Sequence, residues 1–254
     1  LRMSIIRDSS ITSDYIPESK AMAKQDVYAD AMQNDSLLTD TVIQNFVNAN
    51  AQSAIGKLYE TKENLGKAFE IDSATNAALT NLDELISALN DSISIIDSLT
   101  VADTLTNYST QRAAVINDLN ALQQSKSGYL EQNLFERDSS LTEAEISNSS
   151  AITSETPHDN EQFLNEISII YERNGIAGVT PYYWDIFSIA SQCPYSGGDA
   201  VILARNFIEL FDERMAFDDE AMCASQGIYK FGSDSVSSFN NVQIVLKVIG
   251  KVKG

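Results

Sequence analysis

Few residues in this 254-residue chain can do chemistry, and their types and spacing limit what that chemistry is. His158 is the one histidine, and it stands beside Pro157 in a polar stretch. A lone imidazole there argues against Ser-His-Asp and Cys-His hydrolases and against a multi-histidine metal site; it reads as a solvated loop histidine. Cys193 and Cys223, the two cysteines, lack CxxC spacing, which speaks against a redox or zinc pair. They fit either one disulfide of an oxidising compartment or two buried thiols. Gly197-Gly198 forms neither a GxGxxG fingerprint nor a P-loop, and a turn is a sufficient role for it. Paired carboxylates such as those of Asp218-Asp219-Glu220 can run a glycosidase, but in so acidic a chain they carry almost no specificity. No D-x-D-x-D-G calcium loop is present. Arg205 falls on an apolar stripe, where pairing an acid or capping carbonyls beside the Cys-Pro turn is the expected role. No catalytic residue, metal ligand or cofactor is expected.

The elements that would position these residues read as helices. Trp184, Ile186, Phe187 and Ile189 have the spacing of an amphipathic helix leading into Cys193, and Pro194 stops it. Asp199 is placed to cap a second helix, whose apolar stripe is Val201, Ala204, Phe207, Ile208 and Phe211. A short third segment around Ala221 brings Cys223 back. Earlier, Ile16-Pro17-Glu18-Ser19 starts a helix that breaks at Asn34-Asp35-Ser36. Another begins near Asp40 and extends toward Phe69, weakened by the Asn-Ala-Asn-Ala stretch and by Gly56. The cleanest pattern is Leu79, Leu82, Ile86, Leu89, Ile93 and Ile96, spaced alternately by three and four. That is an a/d seam of about two and a half heptads, short for an independent coiled coil and suited to an intramolecular hairpin. Its expected partner is a helix over about 104–147, which predicts an elongated bundle of antiparallel, coiled-coil-like hairpins. Residues 147–160 read as a linker, and 242–254 as a β-prone strand or a connection to a further domain. The expected fold is mainly all-α. Its divisions are a helical bundle over 1–150, a helical hairpin domain over 151–230 and a β-prone tail over 231–254.

The order IASQCPYSGGDAVILAR, followed about a helix later by FDDEAMC, resembles the C-terminal helical region of large Bacteroidota cell-surface proteins. That region carries a Cys-Pro-x-x-Gly-Gly-x-Ala-Val-x-x-Ala-Arg signature and is similar to segments preceding the sorting domain read by the type IX secretion system. The match covers roughly 60 residues, about 167–229, with Ile202 in place of an aromatic. No sorting domain follows Gly254 and residue 1 is not Met, so the chain reads as a fragment or a processed chain. The resemblance implies an extracellular or cell-surface address and favours a Cys193–Cys223 disulfide. It implies no activity. Asp-Ser or Asp-Thr before an aliphatic residue recurs at Ser36, Thr41, Ser73, Ser92, Ser98, Thr104 and Ser235, where composition predicts roughly two such triplets. The triplet resembles the O-glycosylation acceptor of exported Bacteroidota proteins; helix starts and turns favour the same residues for capping.

Net charge of −19 argues against nucleic acid and against anionic membrane surfaces. No apolar run approaches the roughly 20 residues of a membrane span, and no direct membrane insertion is expected. The expectation is a non-enzymatic extracellular structural or assembly module: a stalk, spacer or fibre subunit. Its partners would be further copies or neighbouring domains of a larger surface protein. The alternative is an adhesion module in which a groove near Trp184, Tyr182 and Tyr183 binds peptide or glycan.

Overall fold

The computed structural model describes residues 1–7, 16–103, 105–212 and 214–228. Among them the fold is all-α, with no strand. The helices are α1 (Arg2–Ile6), α2 (Pro17–Gln33), α3 (Thr41–Asn50), α4 (Ala54–Phe69), α5 (Ser73–Ala102), α6 (Ser109–Ser150), α7 (Thr156–Val179), α8 (Tyr183–Ala190), α9 (Pro194–Gly197), α10 (Asp199–Glu209) and α11 (Asp219–Ser225). The β-prone tail, Thr104 and Ser235 lie outside the described residues.

Local chemistry explains where these helices begin and end. Pro17 sits in the first turn of α2, where its missing amide costs nothing. Asp40 accepts from the Val42 and Ile43 amides at the start of α3, and Asp72 accepts from Ala74 and Thr75 at the start of α5. Asp103 turns the chain out of α5 by accepting from the Leu105 amide and the Thr106 hydroxyl. The doubt over one rod through 41–69 resolves as a break after Asn50, with α4 restarting at Ala54.

The chain forms two compact units, Leu1–Lys62 with Ala144–Gly254, and Glu63–Glu143. The first holds two apolar cores. In one, Tyr28, Ala31, Ile43, Val47 and Ile55 join α2, α3 and α4. In the other, Leu164, Ile167, Val179, Ile186, Val201, Ala204 and Ile208 are fully buried where α7, α8 and α10 meet. In the second unit α5 and α6 run beside each other, tied by Arg112 to Asp97 at 2.7 Å and by Lys126 to Asp83. Leu82 on α5 is buried and Leu79, Ile86, Leu89, Ile93 and Ile96 are half-buried, so the heptad seam is the face that packs.

Two expectations change, and one feature is added. The units divide inside α4 and α6, whereas the sequence suggested a boundary at residue 150. The expected linker over 147–160 is mostly helix and partly buried, because its polar side chains find partners at the α6–α7 corner. Gln162 Nε2 donates to the carbonyls of Asn148 (2.7 Å) and Ala151 (2.8 Å), and Asn148 Nδ2 returns a bond to the Gln162 carbonyl (2.8 Å). Finally, among the described residues the helical stretch Ala54–Ala102 is long and apolar enough, by length and composition, to cross a membrane. A search for an uninterrupted apolar run misses it, because its Leu and Ile residues are spread around α5 among Ser, Ala and Asn.

Candidate functional site

Chemistry-capable residues gather at the corner built by α8 to α11. Cys193 precedes Pro194 at the start of α9 and is bonded to Cys223 of α11, with the Cα atoms 4.6 Å apart. Gly197 and Gly198 then reverse the chain. A side chain on Gly197 would lie 2.5 Å from Val201 Cγ2 and 2.7 Å from Gln192 Oε1; Gly198 has φ +78°, ψ −170°, a conformation open to glycine. The Gly-Gly pair is thereby explained as packing and a turn. Asp218 caps α11 through the Ala221 amide, which fixes the approach of Cys223.

Arg205 of α10 holds this corner together. Its side chain is only 11% exposed. Nε donates to the Ala190 carbonyl at 3.0 Å, Nη2 points at the Gln192 carbonyl at 3.5 Å, and Nη2 pairs with Asp219 Oδ1 at 2.5 Å. The guanidinium also lies 4.9 Å from the centroid of Phe217. Both expected roles, pairing an acid and capping carbonyls, are filled by one side chain.

The aromatic candidates are only partly brought together. Tyr183 meets Trp184 edge-to-face at 5.0 Å, Phe211 at 5.3 Å and Phe187 in a stack at 6.3 Å. Trp184 reaches Phe187 at 6.0 Å, and Phe187 reaches Phe217 at 6.3 Å. Tyr182 instead packs on Phe163 at 6.4 Å, because it closes the turn Thr180–Tyr182 before α8 begins. Trp184 is 74% exposed. An indole held by its neighbours yet open to water is suited to an apolar or sugar surface. Two concavities lined by described residues lie elsewhere. One, of about 650 Å³, is bordered by Leu1, Met3, Asp26 and Asp30; the other, of about 500 Å³, by Glu145, Phe163, Glu166 and Arg173.

A second cluster was invisible in the sequence. His158, expected to be solvated, is 4% exposed in the first turn of α7, and its Nε2 has no hydrogen-bond partner. Pro157 stands beside it in the first turn of α7, which begins at Thr156, so the histidine is buried where a linker would have left it in water. Three residues on, buried Glu161 accepts from Gln25 Nε2 at 2.7 Å and pairs with Lys62 Nζ at 3.0 Å. Desolvation of the Lys62 stem works against its charge, yet Glu161, Asp199 and Asp26 outweigh it and hold the ammonium above the usual lysine value. Asp26 is pushed up to about 6, first by desolvation and then by Asp199, although part of its side chain stays in water. Desolvation lowers the His158 pKa, against the opposing pull of Glu161, Glu155 and Asp159. Among the described residues no group of three or more His, Cys, Asp or Glu side chains is placed to hold a metal.

The lowered imidazole makes a pH prediction. Between its folded value and the unfolded 6.5, the unfolded chain binds the extra proton, so this contribution to stability is full above 6.5 and is lost as pH falls. Asp26 acts in the opposite sense, because the folded state binds the extra proton between 3.8 and about 6. The variant His158→Leu removes the orphaned nitrogen, and is expected to gain about 1 kcal/mol at pH 7 and more at pH 5.5. Urea melts of both proteins at the two pH values check the sign.

The Asp-Ser/Thr positions fall into two kinds. Thr41 and Ser73 are the first residues of α3 and α5, directly after the capping Asp40 and Asp72. Ser36 lies exposed in the turn after α2, donating to Asn34 Oδ1 at 2.7 Å. Ser92 and Ser98 are inside α5 and donate to the carbonyls of Ala88 and Ser94, both at 2.9 Å, so capping does not account for them. Comparison of the chain with protein-family models, with curated proteins and with solved structures gives no match.

Proposed function

We propose that this chain is a non-enzymatic structural or assembly module of an exported protein, acting as a stalk, spacer or fibre subunit at a Bacteroidota cell surface. One observation carries the reading. At the Cys193–Cys223 corner the groups best able to do chemistry are spent on holding helices together, Arg205 on two carbonyls, Asp219 and Phe217, and the thiols on each other. A disulfide between buried cysteines supports an oxidising, extracellular address. The resemblance of the CPYSGGDAVILAR segment supports the same address. Intact-mass spectrometry of the native-source protein, with and without reductant, followed by peptide mapping, tests it. A two-dalton shift on the Cys193 and Cys223 peptides is expected, with sugar masses on Ser36 or Ser73. Free thiols and an unmodified mass would sink the export reading.

A second reading is favoured by the exposure of Trp184: adhesion to peptide or glycan through the Tyr183–Trp184–Phe187 face. Trp184→Ala would then abolish retention on a glycan or peptide array with helicity unchanged. Equal retention by the variant removes the reading.

A further inference from the structure

Helix α5 carries two apolar seams, and α6 takes only one of them. One residue out of phase with the packed seam, Leu85, Ala88, Ser92, Ile95 and Leu99 again alternate by three and four. On an α-helix that spacing makes a second stripe, turned by roughly 110° from the first. Leu85, Ile95 and Leu99 are 45%, 60% and 43% exposed, so this stripe lies bare. Large residues stand at its ends and small ones, Ala88 and Ser92, near its centre. Reversed about Ser92, the stripe matches itself: Leu85 comes level with Leu99, and Ala88 lies beside Ile95. Ala88 against Ile95 sets small beside large, and Ser92 against its own copy leaves the centre narrow, so the two helices can approach closely there while Leu85 and Leu99 close the ends.

We propose that a second copy of this chain covers the seam, α5 packing antiparallel on α5 of the partner subunit about a two-fold axis at Ser92. The contact is isologous and closes on itself, as a two-fold dimer requires. The stripe is about 21 Å long at 1.5 Å per residue. Two such stripes bury roughly 1,000 Å², the lower limit for a specific interface, so dimerisation belongs in the micromolar range. Charge does not forbid it. Glu84 comes level with Thr100 of the partner subunit, and Asp91 is the one acid brought near its own copy. The inference rests on the assembly reading and names its partner.

The test uses the full chain. Sedimentation is expected to show a monomer–dimer equilibrium that Ile95→Asp and Ala88→Trp abolish, with the circular-dichroism spectrum unchanged. Asp91→Asn relieves the like-charge contact and tightens the dimer two- to five-fold. Under mild oxidation Ser92→Cys forms a covalent dimer, because a residue on the axis meets its own copy within disulfide reach. Ser98→Cys, about 18 Å from its own copy along the axis, does not. A wild-type monomer at about 0.1 mM, or equal cross-linking of the two cysteine variants, overturns the proposal. Those results leave the Cys193–Cys223 mass shift untouched, whereas free thiols would defeat the export reading and leave the dimer standing.

Discussion

Replacing Cys193 and Cys223 together by alanine is expected to lower stability by about 3.5 kcal/mol. The bond closes a loop with a sequence separation of 30, and losing the constraint returns entropy to the unfolded chain. Alanine is the right probe because both positions are buried, and a serine hydroxyl there would add a desolvation cost of its own. Urea denaturation of the wild type and the variant, each with and without reductant, checks the value. The wild type in reductant should move to meet the variant, and the variant should not respond. A loss well under 1 kcal/mol would mean that α11 is held by the Asp218 cap and the Arg205–Asp219 pair with little help from the bond.

The second large effect is expected at Arg205. Arg205→Met keeps the apolar stem and removes the guanidinium, leaving the carbonyl of fully buried Ala190 without its donor. An unsatisfied buried carbonyl, together with loss of the contacts to Gln192, Asp219 and Phe217, is expected to cost about 2–4 kcal/mol. Arg205→Lys should recover less than half of this, because one ammonium does not reproduce a planar fork reaching two carbonyls and a carboxylate. Combined with the cysteine pair, the loss should fall short of the sum, since both act on the same corner. An additive result would place the two on separate structural units.

How much was legible in the sequence follows the range of the forces involved. Asp199, expected to cap α10, is instead its first residue behind Gly198 and makes no side-chain cap bond, and Pro194 opens α9 after α8 has already ended at Ala190. The start of α2 at Pro17 and the Asp40 cap of α3 depend on backbone groups a few residues away. They were readable from adjacent letters. So was the packed seam of α5, because an alternation of three and four shows which face is apolar. The second seam was equally present in the letters. It stayed hidden because Ala88 and Ser92 are weak apolar signals, and only the exposure of Leu85, Ile95 and Leu99 makes the stripe visible.

The sequence by itself determined the helical class, most helix limits, the lack of a recognisable catalytic motif and the structural part given to Arg205. Each of these is set by local periodicity, by capping, or by which residue types are present at all. Only the tertiary structure decided that His158 is buried, that Tyr182 turns to Phe163 while Tyr183 and Trp184 face each other, and that Cys193 bonds Cys223. It also turned a polar stretch expected to be solvated into the closed corner held by Gln162 and Asn148. The reason is physical: a polar residue is as content with a buried partner as with water, and that choice rests on segments far away in the chain.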